Sequence, residues 1–360
     1  MRLPVDRWVK KGLFRLYAPL GWARRPNSVT LDVTRRCNLR CAMCFYYGDE
    51  SRHLPEVAEL SAAEIISRVV DRVGRVDYNL SGGEPFVRSD LPEILTAIRR
   101  RKCGVAVATN GTLLNQALIE RIVGENLLTG ISFSIQGGEA THDQVTRVPG
   151  SFQRATGNLA KLVAERERQG AREPRVNISC TVGHGNFGVV RELAGLKDSL
   201  GADTVNFSHC SFVTPNVAAR HQAALERLEL ACHPDYDELI TGPPLVSAPP
   251  EDVEEFLADI RALRAAGADF QTWPSGYTED DVRRHYLDED WVYRPYCNYP
   301  FRSLRVGPDG TITPCLGHVV GNLRETDVRA IWNNRAFRRF RAILYRERLF
   351  PGCFRCCKLK

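Results

Sequence analysis

The feature that most constrains this chain is a regular alternation of strand-like and helix-like segments from Ser28 to Phe207. Val29-Thr-Leu-Asp-Val33 reads as a strand by its β-branched content and its alternation. Ser61-Ala-Ala-Glu64 forms a capping box, and Ile65, Ile66, Val69, Val70 and Val73 follow it at helical spacing. Tyr78–Leu80, Val105–Thr109, Ile131–Ile135, Val176–Val182 and Thr204–Phe207 read as further strands. Between them, helices are expected over Leu91–Arg101 (capped by Ser89 or Asp90), Leu114–Val123, Phe152–Gln169 and Val189–Leu200. About six β–α units in succession predict a parallel sheet covered by helices. Sheets of that kind carry their chemistry at the carboxyl ends of the strands.

The rest of the composition narrows the class. The chain has 360 residues, 43% hydrophobic and 26% charged, which suits one large globular domain with an appendage. The net charge of +6 is mild. Basic residues gather near the ends, as in Arg24-Arg25, Arg338-Arg339 and Lys358-Leu-Lys360, and a solvated surface accounts for them better than an anionic-substrate patch. The interleaving of basic and aromatic residues that marks a nucleic-acid groove is missing, so no nucleic-acid partner is expected. There is neither an apolar run of membrane-spanning length nor a signal-peptide pattern at the start, so a cytoplasmic location is expected. In that compartment the 12 cysteines stay reduced and read as metal ligands rather than disulfides. Asp6–Trp22 is basic and amphipathic; contact with a membrane surface is one reading, and packing on its own domain is the preferred one.

Thr34-Arg-Arg-Cys37-Asn-Leu-Arg-Cys41-Ala-Met-Cys44-Phe45 follows the first strand. Three thiolates in one short loop can hold three irons of a cubane and leave the fourth open, as a site that binds substrate requires. A closed zinc site uses four ligands and fits this loop poorly. Ser81-Gly82-Gly83-Glu84-Pro85 ends the second strand; its glycines permit close backbone approach, and Glu84 offers a carboxylate to an ammonium group. Thr109-Asn110-Gly111 ends the third strand.

These motifs resemble the radical S-adenosylmethionine (SAM) superfamily, whose Cys-x3-Cys-x-aromatic-Cys is nearly reproduced, with Met43 at the aromatic position. The resemblance implies a partial (β/α)6 TIM-like barrel. It also implies a 4Fe–4S cluster on Cys37, Cys41 and Cys44 whose open iron chelates SAM, so that reductive cleavage gives a 5′-deoxyadenosyl radical that abstracts a substrate hydrogen. By the same resemblance Gly82, Gly83, Glu84 and Pro85 bind the methionyl amino group. Ser134, in Ser132-Phe-Ser-Ile-Gln136-Gly137, contacts the ribose or carboxylate, and Gln136 stands where the family commonly has Asp. Arg147, in His142-Asp143-x3-Arg147-x2-Gly150-Ser151-Phe152, pairs with the SAM carboxylate. Asn110 and the backbone of Phe45 complete the implied SAM site.

The last 64 residues carry Cys297, Cys315, Cys353, Cys356 and Cys357. Four of these suffice for a closed site, and a zinc knuckle is the alternative. Val306-Gly-Pro-Asp-Gly-Thr-Ile-Thr-Pro-Cys315, Gly321-Asn-Leu and Ile331-Trp-Asn-Asn334 resemble the family's twitch or truncated SPASM domains, which implies one auxiliary 4Fe–4S cluster on Cys297, Cys315, Cys353 and Cys356, with Cys357 as the alternative fourth ligand. The expected organisation is an amphipathic segment over 1–28, a radical SAM barrel over 29–230, a helical linker over 231–290 and an auxiliary domain over 291–360. A hairpin is expected at Gly307-Pro-Asp-Gly310 and a helix over Glu251–Ala266. Cys103, Cys180 and Cys232 read as core residues. Cys210, following a strand, is the candidate hydrogen-atom donor.

Only 36 residues precede Cys37, whereas peptide-modifying members of the family carry a leader-binding module there. That favours a small natural-product, sugar or aminocyclitol-like substrate, and the implied auxiliary cluster, able to accept an electron, favours dehydrogenation or a related modification, with flavodoxin or ferredoxin as electron donor. Peptide maturation, epimerisation through Cys210 and lipid or isoprenoid modification are the alternatives.

Overall fold

A computed structural model describes residues 14–44, 46–47, 56–183, 185–211, 213–230, 248–315, 318–356 and 358. Its strands are β1 (Ser28–Thr34), β2 (Asp77–Gly82), β3 (Val105–Thr109), β4 (Gly130–Ser134), β5 (Arg175–Val182), β6 (Thr204–His209), β7 (Phe270–Trp273), β8 (Ser303–Val306), β9 (Thr311–Ile312) and β10 (Gly321–Asn322). They form one sheet in the order β10-β9-β8-β1-β2-β3-β4-β5-β6-β7. Every pairing from β1 through β7 is parallel, and helices make the crossovers. The parallel sheet expected from the alternation is present, and so is the partial (β/α)6 barrel implied by the resemblance.

One face of each strand is apolar and dry. Val29, Leu31 and Val33, Tyr78 and Leu80, Val105 and Val107, Ile131 and Phe133, and Val176 and Ile178 are all buried in the main core. Each such side chain contributes roughly 1.5–3 kcal/mol by leaving water. Helix Leu91–Arg100 meets this face with Leu91, Ile94, Leu95 and Ile98, and Pro92 sits in its first turn as the sequence suggests. Its N-cap is Asp90, whose carboxylate accepts from the Ala62 amide at 3.1 Å and so ties together the starts of two helices. The Ser61–Glu64 capping box forms as read.

Beyond residue 230 the structure adds elements that the sequence reading did not give. The segment read as a helical linker does contain a helix, Pro250–Ala265, but it also supplies β7, which extends the sheet beside β6. None of its four residues is buried, so β7 carries no alternation of buried apolar positions that would reveal a strand. The segment read as a separate domain is joined to the barrel through β8, which pairs in parallel with the free edge of β1. The Gly307–Gly310 hairpin forms, with Val306 opposite Ile312 and Gly310 at φ +87°. Helices Pro215–Arg227, Glu279–Leu287 and Arg335–Glu347 were not anticipated.

The N-terminal segment is described from Phe14 onward, and that part packs on its own chain. Phe14 lies edge-on to Phe301 at 5.1 Å. Arg341, fully buried, donates to the carbonyls of Gly21, Trp332 and Pro300 and lies over the Phe337 ring at 3.7 Å. The earlier part of the Asp6–Trp22 segment lies outside the described residues, as does 231–247. Among the described residues, no helix is long and apolar enough to cross a membrane.

Candidate active site

After Thr34 the chain turns over the carboxyl end of the sheet and presents Cys37, Cys41 and Cys44, all half-buried, in one loop. Polar contacts fix this loop on both sides. The Thr34 hydroxyl and the Arg35 amide both donate to Glu59 Oε1, at 2.6 and 2.9 Å. The Arg40 and Ala42 amides donate to the carbonyls of Thr146 and Val145, at the end of helix Glu139–Thr146. Asn38 donates to the Thr112 hydroxyl at 2.8 Å and accepts from Asn110 at 2.9 Å.

The sulfurs themselves receive amide protons: Leu39 donates to Cys37 at 3.4 Å and Tyr46 to Cys44 at 3.3 Å. Burial, followed by the neighbouring Cys44 and Cys37, pushes the Cys41 thiol up to about 12. Burial and the neighbouring sulfurs make Cys37 and Cys41 resist ionising beside Cys44, and such a crowded donor set suits a cationic iron core, which takes up the thiolate charge. The loop fits a cluster on that ground.

Gly82 and Gly83 are required where they stand. A Cβ on Gly82 would lie 2.3 Å from the Thr34 carbonyl oxygen, and Gly82 has φ +126°. A Cβ on Gly83 would lie 2.2 Å from the Arg36 carbonyl oxygen. Without side chains the end of β2 lies against the cysteine loop, with Gly83 and Glu84 amides donating to the Thr34 and Arg36 carbonyls at 2.8 and 2.9 Å. Glu84 is 1% exposed. It accepts from the Thr109 hydroxyl (2.7 Å), the Phe86 amide (3.1 Å) and the Asn110 amide (2.6 Å), which joins the Gly-Gly-Glu-Pro turn to the end of β3. Burial raises the pKa of Glu84 against these hydrogen bonds. Pro85 opens a short 3-10 turn, Pro85–Val87.

Ser134 ends β4, half-buried. Arg147 stands in left-handed backbone, φ +58°, just after helix Glu139–Thr146, close enough to Cys41 to favour its thiolate. Asp143 accepts from the Gly150 amide, the Ser151 hydroxyl and the Phe152 amide at 2.5–2.9 Å, and so shapes the Arg147–Gly150 turn. His142, fully buried, accepts the Gln136 amide on Nδ1. Cys37, Cys41, Cys44, Glu84, Asn110 and Arg147 are thus brought together at one end of the sheet. Phe45 lies outside the described residues.

The sequence reading missed the inner face of the barrel. Thr30, Asn79, Ser132, Asn177, Ser179 and Asn206 alternate with the buried apolar residues and point the other way, none of them buried. On the same face of β1 as Thr30, Asp32 is buried (2% exposed) and accepts from Ser81 Oγ at 2.6 Å and from Arg305 Nε at 2.7 Å. Arg305 reaches it from β8, so the C-terminal region contributes to the barrel interior. The signal was legible: parallel strands covered on both faces read as nearly continuous apolar runs, and these instead alternate apolar with Ser, Thr and Asn.

In the C-terminal region Cys297, Cys315 and Cys353 come together against Phe340, Ile343, Leu344 and Phe350. Burial pushes Cys297 up to about 12, with Cys315 adding to the effect, and drives Cys353 well above its ordinary value, with Cys315 and Cys297 adding to it. This trio has the same crowded-thiol chemistry as the first. The Cys356 amide donates to the Cys353 carbonyl, and its sulfur accepts from the Lys358 amide at 3.4 Å. Cys357 and Cys232 lie outside the described residues. Cys103 and Cys180 are core cysteines as read. Cys210 is 5% exposed at the end of β6, its amide bonded to the Val182 carbonyl and its own carbonyl to His285 Nε2.

A family model for the radical SAM superfamily matches residues 31–186, and one for the SPASM iron–sulfur cluster-binding domain matches 297–357. The chain belongs to the radical SAM superfamily. It is a radical SAM enzyme with a SPASM-type auxiliary domain, and its cofactors are SAM and 4Fe–4S clusters. It is similar to the AdoMet-dependent heme synthase of Methanosarcina barkeri, 33% identical over 38% of this chain and 39% of that protein. It is also similar to the pre-heme d1 synthase of Dinoroseobacter shibae (32% identical, 51% of this chain, 44% of that protein) and to the mycofactocin maturase MftC of Mycobacterium ulcerans (29%, 49% and 46%). The chain spans less than half the length of each of these relatives. Among solved structures it shares its fold with Streptococcus suis SuiB bound to S-adenosylmethionine, at a TM-score of 0.61 and 12% identity over 94% of this chain and 72% of that one. It shares the fold likewise with anSMEcpe with bound AdoMet, at a TM-score of 0.59 and 16% identity over 87% and 82%.

Proposed function

We propose that this radical SAM enzyme dehydrogenates a small polar substrate seated on the inner face of its partial barrel. Cys37, Cys41 and Cys44 hold the SAM-binding cluster. Gly82, Gly83, Glu84, Pro85, Asn110, Ser134 and Arg147 line the SAM site, and Phe45, outside the described residues, is the further proposed SAM contact. Cys297, Cys315 and Cys353, with Cys356 or Cys357, hold the auxiliary cluster. The first cluster with SAM supplies hydrogen-atom abstraction, and the second, closed by thiolates, supplies a place for the electron left behind.

The observation that carries this reading is the polar inner face lying between the two thiol sets. Asn79, Asn177 and Asn206 offer donors and acceptors to hydroxyl or amide groups. The Asp32–Arg305–Ser81 network stiffens the face below the cysteine loop. The Thr30 hydroxyl lies 3.5 Å from that of Tyr299, two residues from Cys297, so the inner face is continuous with the auxiliary site. A peptide substrate is the second reading, supported by relatives named as a maturase and a bacteriocin biosynthesis protein. Flavodoxin or ferredoxin is the proposed reductant.

The test is anaerobic turnover of the reconstituted enzyme with candidate polar substrates, followed by mass spectrometry. The expected product is lighter by two hydrogens, with one SAM consumed per product. A mass-neutral product carrying solvent deuterium, and lost in Cys210→Ala, establishes epimerisation through Cys210 instead.

A further inference from the structure

The rim opposite the cysteine loop carries an open cavity of about 2590 Å³. Arg24–Asn27 lead into β1, Arg75 and Val76 into β2, and Arg302 into β8, so this cavity lies at the amino ends of those parallel strands. The length of β1 separates the two rims by roughly 20 Å at about 3.3 Å per residue. The cavity is well beyond the roughly 300–1,000 Å³ of a small-molecule pocket, so its size suits a macromolecule.

Nine arginines line it against one carboxylate, Glu229. Arg227 and Arg346 are engaged by Glu347, and Arg339 by Glu229. Among the described residues Arg15, Arg24, Arg25, Arg302 and Arg348 have no carboxylate partner, and all five are exposed. The wall between them holds Tyr17, Tyr296 and Tyr345. Arginine and tyrosine are the residues that anchor protein–protein contacts. Cys297, of the auxiliary trio, lines the same cavity.

We propose that this arginine-lined groove docks an acidic one-electron carrier protein of the flavodoxin or ferredoxin kind, which exchanges electrons with the cluster held at Cys297. The proposal rests on the assignment of that cluster. A phosphate-bearing polymer or an anionic membrane would match the charge, but only a redox partner uses a cluster ligand in the groove wall. In dehydrogenation the substrate radical gives up one electron and one proton. The proton goes to solvent. The electron leaves through the groove to the oxidised carrier, which departs reduced by one electron. Docking on this rim leaves the SAM and substrate mouth free.

The test uses the anaerobically reconstituted full chain and a fluorescently labelled flavodoxin, with binding read by anisotropy at low and high salt. Competing probes are phosphatidylglycerol vesicles and a single-stranded RNA. The expected result is flavodoxin binding that weakens about tenfold or more in an Arg24→Glu, Arg25→Glu, Arg302→Glu, Arg348→Glu variant, and with rising salt. The matching Lys variant keeps binding, and dithionite-driven SAM cleavage stays at the wild-type level in both. Equal binding by wild type and the Glu variant overturns the proposal, as does displacement of flavodoxin by the vesicles or the RNA. Iron content is measured on the same samples. Undiminished iron in a Cys297→Ala, Cys315→Ala, Cys353→Ala variant overturns the cluster assignment, whereas loss of binding in the arginine variant speaks for docking alone.

Discussion

Acidification from pH 7.5 to pH 5 is expected to cost this protein about 4 kcal/mol of stability or more, through buried histidines. His142 and His285 are 0% and 1% exposed, and burial pushes each down to about 4. His209, 3% exposed, is lowered well below its usual value by burial and then by His285. In the unfolded chain all three titrate near 6.5. The folded pKa is the depressed one, so the unfolded state takes up protons first. The stabilisation is therefore whole above pH 6.5 and is lost as pH falls from 6.5 towards 4. At pH 5 each of His142 and His285 has forfeited about 2 kcal/mol, and His209 adds to the loss in the same direction. That is a large part of the roughly 5–15 kcal/mol that holds a domain folded. The assay is anaerobic urea unfolding of wild type and His142→Gln at both pH values. The variant removes one titrating group, so its loss is expected to be smaller by about 2 kcal/mol. Acid lability of the clusters is common to both proteins and cancels in that difference. Equal pH-dependence in the two, within about 0.5 kcal/mol, refutes the reasoning.

Replacing Cys37, Cys41 and Cys44 by Ala is expected to abolish 5′-deoxyadenosine formation and to lower iron from about eight to about four per chain; continued SAM cleavage, read by chromatography, sinks the assignment. In Gly82→Ala the new methyl meets the Thr34 carbonyl at 2.3 Å in backbone of φ +126°, which displaces β2 from the cysteine loop. SAM cleavage is expected to fall about tenfold or more, because small misplacements cost that much, and an unchanged rate contradicts the close approach. Arg305→Met leaves Asp32 buried without its cation. A stability loss of about 3 kcal/mol is expected in denaturant titration, and a loss under about 1 kcal/mol would show that the pair is solvated.

The parallel sheet and the Cys37–Cys44 and Gly82–Pro85 motifs were legible in the sequence because each rests on local information. A strand's alternation, the Ser61–Glu64 capping box and the Cys37–Cys44 spacing are complete within a dozen residues. The glycines at 82 and 83 could be flagged as tolerant of close approach, but not what approaches them; that is the carbonyls of Thr34 and Arg36, nearly fifty residues earlier. The four-residue β7 gave no periodic signal, and only the free edge of β6 makes it a strand.

By itself the sequence determined the barrel class, the first thiol set and the family to which they belong. Tertiary structure alone decided that Arg305 enters the barrel to meet Asp32, that Cys297, Cys315 and Cys353 pack against one apolar cluster, and that arginines from residue 15 to residue 348 share one groove. The physical reason is sequence distance. Hydrogen-bond periodicity and steric need act between near neighbours and leave a pattern in the chain. Charge and metal-ligand constellations act through space, and they exist only once β8 has paired with β1.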